Sequence, residues 1–318
     1  MTAARGAGSP LTKPWARSYV LLAAVLWSTG GLGVKLLGGC EARTIAGVRA
    51  VFAAIVMGAA LLHGASPARI AAALRRPRVW GAAVSYAVMV VCFVIAAKRT
   101  TAANAILLQY TAPIYVALVS PFLLDEKVGP RDALAVLMTL LGMVLFFLGD
   151  LSLEGKIGNV VAIVSGLGFA GLPVFLRMDD LARARATPIL PEEPATPLVA
   201  MTLGNVLAAL VCAPVTLTAP PSSLGAWAVL AALGTLQIGV PYLFYARAVR
   251  VLPALESSLL ASIEPILAPV WVFLLAHEKP GRSALFGGAL IVAAVTFQAT
   301  KRRIPDGDAD AARAAPDR

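Results

Sequence analysis

Ten stretches of mostly uncharged, apolar residues leave this chain few ways to fold. Most are close to the ~20 residues that a helix needs to cross ~30 Å of hydrocarbon. They lie approximately at 18–37, 44–62, 79–97, 102–124, 133–149, 157–176, 197–218, 226–246, 252–275 and 283–300. In lipid, every backbone N–H and C=O must find a partner within the protein, and a helix supplies those partners locally. Composition agrees, with 59% hydrophobic and 14% charged residues, against roughly 25% charged in a soluble domain. A water-soluble core cannot hide so much apolar surface. The expectation is an all-α integral membrane protein with ten transmembrane helices.

The net charge of +10 would suit nucleic acid, but the charges sit in short loops rather than along one face, so no nucleic-acid partner is expected. With the N-terminus inside, the inner segments hold 19 of the 27 Lys and Arg and the outer segments 7, with Arg49 inside a helix. That bias puts both termini in the cytoplasm. Residues 1–17 and 301–318 read as polar cytoplasmic tails. The first run exceeds the 7–15 residues of a signal-peptide core and is read as a membrane helix. Cys40, Cys92, Cys212, His63 and His277 share no ligand-like spacing, so no metal site is expected.

A second constraint is internal. Lys98–Lys127 and Arg250–Lys279 align without gaps at an offset of 152 residues. Pro113-Ile114 meets Pro265-Ile266, and Glu126-Lys127 meets Glu278-Lys279. Each copy is an apolar helix with a proline near its middle, and such duplication in a membrane chain points to a transporter. Five helices per half is an odd number, so the halves, 18–149 and 150–300, enter from opposite sides as inverted repeats. Gly30, Gly31 and Gly33 in one half, and Gly166, Gly168 and Gly171 in the other, allow close helix approach.

The chain resembles the EamA family of the drug/metabolite transporter superfamily from about residue 18 to 300. The matching features are Trp27-Ser28 and Lys35, Arg49, AKRTTAANAILLQYTAP at 97–113 with Asp125-Glu126-Lys127, and YARAVRVLPALESSLLASIEP at 245–265 with His277-Glu278-Lys279. The resemblance implies a multi-pass carrier of a bacterial plasma membrane, with the lipid bilayer and a small-molecule substrate as partners. An amino acid or related metabolite is the substrate class considered. Export driven by protons is the leading mechanism, and a monomer and a homodimer both stay open. No P-loop or other nucleotide site is visible, so no cofactor is expected.

An ionisable group at membrane depth is costly and faces a partner or a water-filled cavity. Glu264 lies about 18 Å into the ninth run, at 1.5 Å per residue, and precedes Pro265, which frees a carbonyl one turn earlier. It is a candidate proton or cation site, or else a structural carboxylate, paired with Arg49 or hydrogen-bonded between helices for packing. Gln109 and Tyr110 supply neutral hydrogen bonds nearby, and Ser257, seven residues before Glu264, lies on nearly the same helical face. Arg49, about 8 Å into its helix, either snorkels outward or receives an anionic substrate. Tyr86 and Trp27 on one side, with Gln237, Tyr242 and Tyr245 on the other, outline an aromatic and amide cavity. Tyr86 and Gln237 take precedence over Tyr242, because aromatics near helix ends more often anchor the membrane interface. The rival classes are an intramembrane enzyme and a non-transporting scaffold. No deep Ser–His pair supports the first, and a single Asp179-Asp180 pair is a poor magnesium site.

Overall fold

The structure, a computed structural model, describes residues 11–30, 33, 37–148, 155–186, 195–267 and 282–300. Every regular element among them is helical. The first half holds α1 (Lys13–Trp27), α2 (Ala42–Gly64), α3 (Pro67–Leu74), α4 (Pro77–Arg99), α5 (Ala102–Gln109), α6 (Ala112–Leu123) and α7 (Pro130–Phe146). The second holds α8 (Lys156–Ala184), α9 (Thr196–Thr218), α10 (Leu224–Ala232), α11 (Val240–Ala248), α12 (Ala254–Ala261) and α13 (Arg282–Ala299). A π-helical turn, Leu233–Gly239, joins α10 to α11.

Six stretches among the described residues are long and apolar enough to cross a membrane. They are Ala42–Gly64, Pro77–Arg99, Ala103–Leu123, Lys156–Ala184, Thr196–Thr218 and Leu224–Ala248. Helix α7 has 17 residues, and the apolar part of α13 spans Leu285–Gln298. The expected runs 18–37 and 252–275 extend into positions outside the described residues, as do Gly31, His277 and Glu278.

Local chemistry fixes the ends of these helices. Proline opens α3, α4 and α7, where its missing N–H costs nothing. Thr101 accepts from the Asn104 N–H at 3.0 Å to start α5, and Ser223 accepts from the Ala226 N–H at 3.1 Å to start α10. The Glu41 carboxylate caps α2 through the N–H groups of Arg43 and Thr44, at 2.5 and 3.3 Å. Partial burial works against its charge, but these bonds and the Arg43 guanidinium hold its pKa below the usual carboxylate value.

In the packed bundle, α4 lies against both α8 and α9, α2 against α9, α1 against α11, and α7 against α13. The close approach of α8 rests on glycine, since a Cβ on Gly166 would stand 2.9 Å from the Leu108 carbonyl oxygen and 3.0 Å from that of Gln109.

The repeated segment is broken at the same register in both halves. Helix α5 ends at Gln109, turns at 110–111 and resumes at Ala112; α12 ends at Ala261, turns at 262–263 and resumes at Glu264. The bond from the Thr111 N–H to the Leu108 carbonyl, 3.4 Å, has its counterpart from Ile263 to Leu260, 3.3 Å. Pro113 and Pro265 explain the break, because each removes one donor and pushes away the carbonyl four residues earlier.

Ion pairs between the halves gather at the end of the bundle where α1 begins. Arg17 Nε meets the Glu256 carboxylate at 2.7 Å and Arg177 Nε meets Glu126 at 2.9 Å. Arg76 pairs with Asp179, which is buried, and Arg185 pairs with Asp125 on the exposed surface. Arg76 Nη2 also donates to Thr196 Oγ1 at 2.8 Å. The opposite end joins the halves with neutral groups, Thr100 Oγ1 and Asn104 Nδ2 both donating to Asn159 Oδ1 at 2.6 and 3.0 Å.

Candidate functional site

Both breaks face one cavity of about 60 Å³, which also reaches α1, α2, α4, α8 and the π-turn. Seven of the residues singled out from the sequence line it: Trp27, Arg49, Gln109, Tyr110, Gln237, Tyr242 and Glu264. At ≳10–15 Å³ per water, that volume holds about four to six waters, or one small metabolite in their place.

The first break supplies the neutral partners. The Tyr110 hydroxyl donates to the Glu264 carboxylate, so the two breaks touch through a charged hydrogen bond. The Tyr110 ring stands edge-on to Phe169, with centroids 5.4 Å apart. Beside it, Gln109 Nε2 donates to Ser165 Oγ at 3.0 Å, and Ser165 Oγ donates to the Met89 carbonyl at 2.8 Å. This buried relay fixes α5, α8 and α4 around the cavity wall.

Arg49 is the eighth of the 23 residues of α2 and is 4% exposed, so it does not snorkel to the surface. Its backbone is held close to the π-turn, where a Cβ on Gly234 would lie 2.5 Å from the Arg49 carbonyl oxygen. Among the described residues no carboxylate lies within ion-pair distance of Arg49, and its Nε has no hydrogen-bond partner. Of the structural alternatives read from the sequence, the Arg49–Glu264 ion pair does not form here, whereas an interhelical hydrogen bond to Glu264, from Tyr110, does. A guanidinium and a carboxylate therefore share a cavity without direct contact, each still within range of the other's charge.

The π-turn precedes Pro241 and carries Gln237, whose Nε2 donates to the Trp27 carbonyl at 3.0 Å. Single π-turns of this kind often sit at functional positions. Trp27 Nε1 and Gln237 Oε1 are buried without hydrogen-bond partners among the described residues. Aromatic rings close the wall behind them: Trp27 and Tyr242 have centroids 4.9 Å apart, as do Tyr86 and Tyr242.

Three of the singled-out residues stand elsewhere, among them Tyr245, fully buried beside Trp27 with ring centroids 5.5 Å apart. Tyr86 lies behind Tyr242, fully buried, its hydroxyl accepting from Asn205 Nδ2 at 3.1 Å. Ser257 donates to the Ala254 carbonyl at 2.9 Å and does not line the cavity. The turn at 262–263 interrupts the helix between it and Glu264, so the spacing of seven does not carry one face across. The order of Tyr86 and Tyr242 is the reverse of the sequence expectation: Tyr242, 6% exposed, lines the cavity. Phe169, Met89 and Phe93 also line it and were not singled out; in sequence they look like ordinary apolar helix residues. Asp179 is taken up by Arg76, and no cluster of three metal-ligating side chains occurs among the described residues.

The sequence profile of the EamA-like transporter family matches residues 14–148 and again residues 156–300. A protein of Archaeoglobus fulgidus described as an uncharacterized transporter is 29% identical over 215 residues, covering 68% of this chain and 73% of its own. A protein of known crystal structure, 20% identical, superimposes with a TM-score of 0.70 over 90% of this chain and 98% of its own. At that identity the likeness establishes the fold alone.

Proposed function

We propose that this chain, which belongs to the EamA-like transporter family, carries a small zwitterionic metabolite, an amino acid or a close relative, through the cavity of Arg49 and Glu264. It is a membrane transporter, and both the family and the archaeal relative point away from an enzyme.

One observation carries the substrate reading. A cation and a carboxylate line one small cavity, and no ion pair forms between them. An unpaired charge inside a membrane protein is costly. A substrate with its own carboxylate and ammonium satisfies both groups, and the rings of Trp27 and Tyr242 give its apolar part a surface.

In this proposal two five-helix units, 18–149 and 150–300, form inverted repeats that rock about the cavity in alternating access. The double family match and the shared break register support two equivalent units. Ten helices cross a plasma membrane with both termini in the cytoplasm, as the Lys and Arg bias indicates. The carrier works as an exporter, and the Glu264 carboxylate binds the substrate ammonium on the outward leg and a proton on the return leg, so one proton enters for each substrate that leaves.

Purified protein in proteoliposomes tests this directly, with amino acids, nucleosides and carboxylates offered with and without a pH gradient. Accumulation of an amino acid only with the gradient is the expected result. Accumulation of a nucleoside or a dicarboxylate instead would end the zwitterion reading, and equilibration without accumulation would end the proton coupling.

A further inference from the structure

One donor and one acceptor among the groups around the cavity carry no charge and have no partner. Trp27, the last residue of α1, is 5% exposed, and its indole Nε1 is buried without a hydrogen-bond partner among the described residues. The same holds for Oε1 of Gln237 on the π-turn. Both residues line the cavity. We propose that these two atoms read the side chain of the substrate and select one that ends in a neutral group able to donate and accept at once, a hydroxyl or a primary amide. The proposal rests on the zwitterion reading above, in which Arg49 and Glu264 take the carboxylate and ammonium of the substrate.

Both atoms are held in place. The Trp27 carbonyl can only accept, so the Gln237 amide must turn its NH2 towards it, and Nε2 donates to that carbonyl at 3.0 Å. Oε1 is left as the free end of the amide. Helix α1 presses on the same group, since a Cβ on Gly30 would stand 2.6 Å from Gln237 Nε2 and 2.9 Å from its Cδ. The indole packs against the rings of Tyr242 and Tyr245, with centroids 4.9 and 5.5 Å away. A buried donor or acceptor without a partner is costly, and a buried indole N–H ordinarily finds one. Two such groups, fixed beside one cavity, form a template that a ligand completes.

The template is selective because an indole N–H only donates and an amide oxygen only accepts. A side-chain ammonium would serve Gln237 and leave the indole unpaired. A side-chain carboxylate would serve the indole and set lone pairs against the amide oxygen. An apolar side chain serves neither. A hydroxyl or a primary amide serves both, and a cavity of about 60 Å³ keeps that side chain short.

Serine and 2-aminobutyrate share a shape and differ in a terminal hydroxyl against a methyl group, so their uptake into proteoliposomes holding the full chain tests the pair. Serine should enter about tenfold faster or more at equal, subsaturating concentration, because a site built for a hydroxyl penalises the analogue that leaves its groups unpaired. Trp27→Phe removes the N–H and keeps an aromatic ring, and Gln237→Met keeps the length and removes the amide. Each should bring the ratio of the two rates close to unity, a readout that loosened packing alone would not move. Thermal unfolding in detergent identifies a variant that misfolds. Equal uptake of both compounds by the parent protein would overturn the proposal and leave the zwitterion reading standing, with water as the partner of the two atoms. A folded variant that keeps the parent's ratio would overturn it too. Movement of neither compound would end this proposal, and with nucleosides or dicarboxylates moving instead the zwitterion reading would end as well.

Discussion

The two broken helices share a backbone and differ in chemistry. Residues 102–112 and 254–264 place their helix end, turn and restart at equivalent positions, 152 apart. In the first half the break presents Gln109 and Tyr110 to the cavity and buries Ala112 completely. In the second half Glu264 stands where Ala112 stands, and the positions matching Gln109 and Tyr110 are Ala261 and Ser262. The proline at each break keeps the geometry. The side chains around it have diverged until one half donates hydrogen bonds and the other holds the charge. Duplication accounts for the architecture; substitution within the duplicated frame accounts for the chemistry.

The largest test of that division is Glu264→Gln, which keeps shape and an acceptor for Tyr110 but removes the charge. Uptake into proteoliposomes should fall on the order of 100-fold, as when one member of a buried charge pairing is removed, and the residual rate should no longer follow the pH gradient. An unchanged gradient dependence would exclude Glu264 as the coupling group. The exchange Glu264→Ala/Ala112→Glu sharpens the point. Ala112 is packed rather than cavity-facing, so the moved carboxylate should not restore transport. Recovery would mean that the two breaks are interchangeable.

Tyr110→Phe removes the hydroxyl that joins the breaks and leaves the ring against Phe169. A hydrogen bond to a charged group is worth about 1.5–3 kcal/mol, and the loss should lower the thermal unfolding temperature in detergent. A variant as stable as the parent would show that the contact between the breaks does not hold the halves together.

Gly166→Ala tests the packing of the first break alone. The added methyl meets the Leu108 and Gln109 carbonyls below ordinary contact distance, and overpacking of this kind costs about 1–3 kcal/mol. Thermal unfolding should register it, and an unshifted transition would mean that α8 moves aside freely.

How much of this was legible follows from what each signal depends on. Membrane segments announce themselves because lipid forbids charge over a fixed length, and the break announces itself through proline. Glu264 and Arg49 stood out because an ionisable group in an apolar run is rare. Ser257 was misplaced because a spacing argument assumes one continuous helix, and the turn at 262–263 ends that assumption. Tyr242 was undervalued because position near a helix end says nothing about the direction that the π-turn and Pro241 impose. Arg76 and Asp179 lie 103 residues apart, and no local pattern marks such a pair. Phe169 and Met89 carry no polar signal at all.

The smallest expected effect compares the hydroxyls at the two turns. Thr111 Oγ1 donates to the Leu108 carbonyl at 2.6 Å, and Ser262 Oγ donates to the Ser258 carbonyl at 3.2 Å. Such back-bonding gives a loosened helical turn an extra donor in place of lost backbone bonds. Thr111→Val and Ser262→Ala should each cost no more than about 1 kcal/mol. Thr111→Val should cost the more of the two, since its bond is the shorter and serves a carbonyl one residue from the one that Pro113 displaces. Ser258 lies a further turn back, in unbroken helix, so its carbonyl has less need of a new donor. Thermal unfolding of the two variants side by side settles the order. If Ser262→Ala proved the more damaging, the second break would depend on side-chain bonds more than the first, and the shared proline would not be enough to hold both.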